Sequence, residues 1–355
     1  ARVDDARLAV FNVMDARLRG ADVRVGTRLV TARRERNAGG PFWRATLAGP
    51  AKVTTEVTAK VLVNVAGPWV KRVRDAINGT PSKENVRHVK GSHIVVPRVH
   101  EGEHAYILQN ADKRIVFVIP YQDRYTLIGT TDVPVEAFER PEISREEIDY
   151  LLALANTYLA QPLSRSDVVW TFSGIRPLYD DGASDPSAIT RDYVFKLDTG
   201  SAPGGAPVLS IFGGKLTTYR KLAEAALGEL APWFPGLAAS ATRSQPLPGG
   251  EHMTSAAALA VSLTQRTPWL PDSLAQRWSI TYGSRSEQIL QGAQSLADLG
   301  EAFGSGLYQR EVDYLRRVEW AQSAQDILWR RSKLGLFLTP EQQTRLHQYL
   351  SQAQS

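Results

Sequence analysis

Apolar positions recur at helical spacing from about Asp5 to Leu18, where Leu8, Phe11, Val13 and Leu18 predict a helix with an imperfect apolar face. Val23 to Val30 and Trp43 to Ala48 predict short strands. Lys60-Val61-Leu62-Val63-Asn64-Val65 is a near-continuous apolar strand ending at Ala66-Gly67-Pro68-Trp69. Such a strand predicts burial on both faces, as in a parallel sheet. From Ser92 the texture changes. His93 to Val96, Arg114 to Pro120 and Tyr125 to Gly129 predict strands, the last two joined across Gln122-Asp123-Arg124. This antiparallel run implies a second domain. Ser144 and Glu147 have the spacing of a capping box, and Ile148, Leu151, Leu152, Ala155 and Leu159 line one stripe of the helix that follows.

Val208 to Phe212 is again an apolar strand. It runs through Gly213-Gly214-Lys215-Leu216-Thr217-Thr218 into a helix carrying Leu222, Ala225, Ala226 and Leu230. Beyond about Met253 the pattern is helical, with Ser284 and Glu287, then Thr339-Pro340 and Gln342, marking helix starts. Gly200 to Pro207 reads as a loop and Gln245 to Gly250 as a linker.

Composition narrows the chemistry. The chain of 355 residues has room for two domains or three, and its 43% hydrophobic and 22% charged residues are those of a globular protein. It has no cysteine, which excludes disulfides, zinc–thiolate sites, iron–sulfur ligation and thiol catalysis, and fits a reducing cytoplasm. The net charge of +5, from 42 basic and 37 acidic residues, suits an anionic lipid or a phosphorylated substrate, or is a plain solvated surface. No basic stripe interleaved with aromatics supports a nucleic-acid partner. No run approaches the ~20 apolar residues of a membrane span. The first residues hold neither an initiator Met nor an apolar leader, so the chain is expected to begin inside a longer protein.

Four motifs carry candidate chemistry. His100-Glu101-Gly102-Glu103-His104 fits H-E-x-x-H, but the central Gly, nearby Pro97 and flanking strands make it a surface loop and not a metal site. Ala66-Gly67 at a strand end lets backbone approach a ligand closely, or is a plain turn. Gly213-Gly214-Lys215-Leu216-Thr217-Thr218 places two glycines and Thr caps between a buried strand and a helix, which suits an anion or a dipolar ligand. It is not a P-loop, since the upstream Gly is absent. Arg176, within Ser173-Gly174-Ile175-Arg176-Pro177-Leu178, and Arg191, within Ile189-Thr190-Arg191-Asp192-Tyr193, could converge on one phosphate or be ordinary ion-paired arginines. No G-x-G-x-x-G occurs.

Taken in order, these segments resemble the respiratory, FAD-dependent glycerol-3-phosphate dehydrogenase family, within the glycine/D-amino-acid oxidase-like flavoproteins. The resemblance runs through Val3 to Leu8, Asn64 to Val70, Lys90 to Arg98, Ala105 to Gln109, Asp112 to Pro120, Ile128 to Val133, Ser173 to Leu178, Thr190 to Tyr193 and Phe212 to Glu224. Val318-Glu319-Trp320 and Leu328-Trp329-Arg330-Arg331 extend it through the C-terminal helices, so it covers essentially the whole chain.

It implies an α/β plus α+β fold: part of a Rossmann-like FAD-binding domain (1–80, resumed at 208–245), an antiparallel-sheet substrate domain (81–207) and a C-terminal helical domain (246–355). It implies oxidation of sn-glycerol 3-phosphate to dihydroxyacetone phosphate, with FAD as cofactor and a quinone as electron acceptor. By motif, His93 is the base or hydroxyl partner, Arg176 and Arg191 clamp the substrate, chiefly its phosphate, and Lys215 sits at the flavin–substrate edge. Ala66, Gly67, Gly213, Gly214, Leu216 and Thr217 line the flavin. A cytoplasmic protein held peripherally at the inner face of the cytoplasmic membrane is implied too, with Trp329, Arg330, Arg331 and Lys333 suited to an interface, or to capping and packing. A homodimer is left open. The family's N-terminal dinucleotide-binding unit has no counterpart here, which leaves a sheet with exposed edges. An amine or amino-acid oxidase, and a non-catalytic fragment without flavin, are the alternatives.

Overall fold

The computed structural model of the chain describes residues 3–78, 84–110, 112, 114–180, 192–200 and 205–352. They form two units, residues 26–239 and residues 1–25 together with 240–355. The first helix, α1 (Asp5–Leu18), has the expected bounds and is capped by Asp4, which accepts the Arg7 N–H at 3.1 Å. It groups with the C-terminal unit, not with the rest of 1–80. Arg7, only 5% exposed, explains this: it pairs with buried Glu319 and donates to the Thr281 carbonyl at 3.0 Å.

In the unit 26–239, β1 (Arg28–Asn37), β2 (Gly40–Ala48) and β3 (Thr54–Ala59) make an antiparallel sheet. β1 starts later than the expected Val23 and runs through Arg33-Arg34-Glu35-Arg36. That polar run is held as a strand by pairing, for example Glu35 accepting from Arg33 and Arg44. β4 (Leu62–Asn64) leads into α2 (Val70–Asn78) and is shorter and more open than its apolar sequence predicts. Val63 is 46% and Val65 64% exposed, because β4 is the outer strand of its sheet.

Next come β5 (Asn85–Pro97), β6 (Tyr106–Gln109), β7 (Ile115–Tyr121), β8 (Tyr125–Gly129), β9 (Val133–Pro134), α3 (Arg145–Asn156) and β10 (Trp170–Asp180). The strands form one antiparallel sheet in the order β10-β5-β8-β7-β6, with β9 also on β5. Gln122 and Asp123, both at positive φ, make the tight β7–β8 turn. α3 covers one face: Leu151, Leu152, Leu154 and Ala155 pack on Ile94, Val96, Val116, Val118 and Ile128. Each fully buried aliphatic side chain there contributes about 1.5–3 kcal/mol. The capping box is present, with Ser144 N–H donating to Glu147 at 2.8 Å and Glu147 N–H to Ser144 Oγ at 3.3 Å. β11 (Val194–Asp198) and β12 (Val208–Phe212) complete the β11-β12-β4 sheet; β12 is buried at every position and runs parallel to β4. α4 (Tyr219–Leu230) follows.

The C-terminal unit contains α5 (Ala256–Arg266), α6 (Asp272–Tyr282), α7 (Ser286–Leu290), a small hairpin of β13 (Ala302–Gly304) and β14 (Leu307–Tyr308), α8 (Gln309–Glu319) and α9 (Pro340–Gln352). Its core is Trp278, Tyr282, Phe303, Tyr314, Leu315 and their aliphatic neighbours. Thr339 and Gln342 bond reciprocally at the start of α9, as their spacing predicts. Ser284 does not start a helix. It lies in a 3-10 turn, and its hydroxyl donates to Glu251.

Candidate active site

The β-register decides what faces away from α3. His93 of β5 lies opposite Phe172 of β10 and Gly129 of β8. Phe172 stacks on the imidazole, ring centroids 4.7 Å apart and planes 6° apart. Gly129 supplies the room, since a Cβ there would lie 2.2 Å from His93 Cδ2. Two residues earlier on the same face, Gly91 is the floor under Arg176: a Cβ would sit 2.7 Å from both Nη atoms. Arg176 donates from Nη1 to Asp132 Oδ1 at 2.6 Å and to the Thr131 carbonyl at 3.3 Å, and from Nη2 to Thr130 Oγ1 at 3.2 Å. The expected substrate clamp is therefore an arginine already held by a carboxylate, with 32% of its side chain exposed.

The two glycine turns sit at the carboxyl ends of parallel neighbours β4 and β12, where open α/β sheets bind ligands. Asn64, 4% exposed, shapes the first: its Nδ2 donates to the Val70 carbonyl at 2.8 Å and its Oδ1 accepts the Ala66 N–H at 3.3 Å. Gly67 has φ 54° with nothing within 4 Å of where a Cβ would be, so its backbone is bare to an incoming group. In the second turn, Gly213 and Gly214 have φ 69° and 110°. Lys215, Leu216 and Thr217 are exposed beyond them. The expected Thr caps are not made. Thr218 instead donates its N–H and hydroxyl to the Lys215 carbonyl at 3.0 and 3.1 Å, closing a 3-10 turn ahead of α4. Bare glycine backbone at Gly67 and Gly213-Gly214, followed by helix-start N–H groups, fits a dinucleotide approaching this edge.

The turns and the sheet meet at the far end of β10. His88, paired with Pro177, donates from Nε2 to the Pro68 carbonyl at 2.9 Å and stacks on Phe138 at 3.9 Å. A Cβ on Gly213 would lie 3.7 Å from the Pro177 carbonyl, and Tyr179 meets Phe212 edge-on at 5.4 Å. Ala66-Gly67 and Gly213-Gly214 are thereby anchored beside the strand that carries Arg176. Arg191 lies outside the described residues.

Sequence reading missed Asp132, Thr130, Gly91 and Gly129. Their signal was available in Gly91-Ser92-His93 and Gly129-Thr130-Thr131-Asp132, where glycine stands one step from a polar residue within a strand. His100 and His104 lie in a loop with rings 5.3 Å apart, and burial lowers the His100 pKa. Among the described residues no three His, Cys, Asp or Glu side chains form a metal cluster. Of Trp329 and its three basic neighbours, Lys333 is buried beside Asp4, Arg331 donates to the Glu319 carbonyl and Trp329 packs on Gly335, which leaves Arg330 exposed.

Residues 1–220 match the family model for FAD dependent oxidoreductases, and residues 240–351 that for the C-terminal domain of alpha-glycerophosphate oxidase. The chain is 52% identical over 350 residues to a glycerol-3-phosphate dehydrogenase of Pseudomonas aeruginosa, covering 98% of this chain and 67% of that protein. It is 46% identical to the aerobic glycerol-3-phosphate dehydrogenase of Escherichia coli, covering 98% and 69%. A D-erythritol 1-phosphate dehydrogenase of Brucella abortus is 44% identical, covering 95% and 66%. The fold matches the FAD-complexed crystal structure of a Bacillus halodurans glycerol-3-phosphate dehydrogenase with a TM-score of 0.79 at 24% identity, covering 99% and 73%.

Proposed function

This chain belongs to the FAD-dependent oxidoreductase family, on its glycerol-3-phosphate dehydrogenase branch, and on that premise we propose that it oxidises sn-glycerol 3-phosphate to dihydroxyacetone phosphate. One observation carries the reading. His93 and Arg176 share a face of one sheet, and two glycine turns at parallel strand ends meet the end of that sheet at His88 and Pro177.

Arg176 and Arg191 clamp the substrate, chiefly its phosphate, and Lys215 stands at the flavin–substrate edge; the guanidinium fork suits phosphate oxygens. Asp132 and Thr130 keep that fork from rotating. His93, fixed against Phe172, accepts the C2 hydroxyl proton, a role open to neutral imidazole near pH 7. Ala66, Gly67, Gly213, Gly214, Lys215, Leu216 and Thr217 hold the flavin. FAD supplies the two-electron acceptor for the C2 hydrogen.

Visible absorption of the protein with and without added FAD, followed during anaerobic addition of glycerol 3-phosphate, tests this; a protein that stays colourless with added FAD would favour the non-catalytic fragment. The flavin bands are expected to bleach. Bands unchanged by that substrate would end the assignment, and bleaching by a sarcosine-like amine would favour an amine oxidase. D-Erythritol 1-phosphate belongs in the same titration, because the 44% identical relative bears that substrate's name.

Electrons pass onward to a quinone, with the protein held peripherally at the inner face of the cytoplasmic membrane. A net charge of +5 and exposed Val261 and Ile280, at 57% and 77%, support contact with an anionic surface. Among the described residues no helix is long and apolar enough to cross a membrane. Flotation with anionic vesicles, reversed by salt, is the expected result; absence of flotation would sink the electrostatic part.

A further inference from the structure

The strands that carry the site are tied together from their opposite face by one carboxylate. Glu147, in the first turn of α3, is 6% exposed. Its Oε1 accepts the Ser92 hydroxyl at 2.8 Å and the Thr131 hydroxyl at 2.6 Å. Its Oε2 accepts the Ser144 N–H at 2.8 Å and pairs with Lys90 Nζ at 2.8 Å. Thr131 Oγ1 in turn accepts the Ser92 N–H at 2.9 Å, and Ser92 Oγ bonds Ser173 Oγ at 2.8 Å.

The four residues that Glu147 and Ser92 gather from the sheet side of this knot are each chain neighbours of a residue on the site face. Ser92 precedes His93, Ser173 follows Phe172, Thr131 lies between Thr130 and Asp132, and Lys90 precedes Gly91. Side chains alternate across a strand, so a bond on one face fixes the backbone from which the next side chain leaves on the other. The segment 130–132 works as a bracket. It is held by Glu147 through the Thr131 hydroxyl and holds Arg176 through Thr130 Oγ1, the Thr131 carbonyl and Asp132.

A helix cap alone does not call for this arrangement, since an exposed Gln at the same position reaches the cap N–H equally well. Burying an ionised carboxylate is costly unless it is paired and fully bonded, and here it is both. Resting on the substrate reading above, we infer that Glu147 is a positioning residue for the reaction, setting His93 and Arg176 from beneath the sheet through Ser92 and Thr131.

The test uses the full chain loaded with FAD. Glu147→Gln removes the charge, and Thr131→Val cuts the bond to the bracket while leaving the Lys90–Glu147 pair in place. Arg165→Ala, which breaks the exposed pair tying Asp149 of α3 to Arg165 in the turn beyond it, is the control for simple loosening of α3. The readouts are the rate constant for anaerobic flavin bleaching at saturating glycerol 3-phosphate, KM, the calorimetric Kd for inorganic phosphate, and Tm.

Both site-linked variants are expected to lose about tenfold in the bleaching rate constant and to bind phosphate more weakly, a smaller loss than the ~10²-fold of a full ~1 Å misplacement because the reacting groups themselves stay in place. Arg165→Ala should change Tm alone. Parental rate and phosphate affinity in Thr131→Val and Glu147→Gln would overturn the inference, as would equal losses in Arg165→Ala. If Glu147→Gln fails to fold, Thr131→Val decides. Should the parent not be bleached by glycerol 3-phosphate, the substrate reading falls; weakened phosphate binding in the variants would still uphold the positioning role, and unchanged binding would remove it.

Discussion

Replacing Gly129 by Ala adds one methyl group and is expected to disable the histidine. The new Cβ would lie 2.2 Å from His93 Cδ2 and 2.6 Å from Cγ. Ordinary carbon contacts are about 3.5–4.0 Å, so the ring must withdraw by roughly 1.3 Å or more. Retreat is blocked on the other side by Phe172, stacked at 4.7 Å. Gly129 is not among the glycines at positive φ, so the clash is with the ring and not with a left-handed backbone. A misplacement of ~1 Å at a reacting group costs on the order of 10²-fold, equivalent to about 2.7 kcal/mol of transition-state stabilisation. The assay is stopped-flow bleaching of bound flavin under anaerobic glycerol 3-phosphate, with flavin content measured alongside. Flavin content should hold, since the glycine turns belong to a different sheet. A second change, Phe172→Ala, should restore part of the rate by letting the ring step back. Gly129→Ala bleaching at the parental rate would refute the placement of His93.

Gly91→Ala should act on phosphate instead of the proton: its Cβ would meet both Arg176 Nη atoms and Thr130 Oγ1 at 2.7 Å, so KM and the phosphate Kd should rise about tenfold with a smaller change in rate. In the C-terminal unit, Glu311 is fully buried and accepts from Arg277 at 2.6 Å twice, Trp278 Nε1 at 2.9 Å and Tyr282 OH at 2.5 Å. Glu311→Ala should cost about 3–5 kcal/mol in urea unfolding, and Arg277→Ala added to it should recover part, because the loss strands a partly buried cation along with the Trp278 and Tyr282 donors. Glu147 also predicts an acid dependence. Burial pushes its pKa up, but Lys90, Thr131, the Ser144 N–H and Ser92 outweigh that and hold it below the ordinary value. Its stabilisation is therefore complete above the unfolded value near ~4.3 and is lost as pH falls through the lower folded value. The Tm gap between parent and Glu147→Gln should be flat at neutral pH and close in acid.

Local rules reached far into this chain where a strong pattern met a strong local signal. α1, the β7–β8 hairpin, the Ser144–Glu147 cap and the fully buried β12 all follow from spacing and turn chemistry. Val61 to Val65 misled, because an apolar run states a preference for burial without stating how many neighbours exist to provide it. β1 was missed over Arg33 to Arg36, where pairing with β2 supplies what periodicity does not. At the site, His93 and Arg176 were visible as residues, yet the Asp132 partner and the glycines beneath them are products of register. Glu147 was legible as a cap; its bonds to Ser92 and Thr131 join positions 55 and 16 residues apart, which no local rule links.

The alternation of the central sheet also sorts variation before any variant is made. On β5, even positions such as Ser92, Ile94 and Val96 look toward α3, while odd positions such as Gly91 and His93 look toward the opposite face, where the proposed site lies. On β10 the assignment is reversed, with Ser173 on the helix side and Phe172 and Arg176 on the other. A randomised library at the odd positions of β5 and the even positions of β10 that spares the buried Val89, Val95 and Leu178 would test selectivity among polyol phosphates on an almost constant scaffold. The complementary library would sample melting temperature and leave the choice of substrate nearly untouched, except where it reaches His88, Lys90, Ser92 or Ser173.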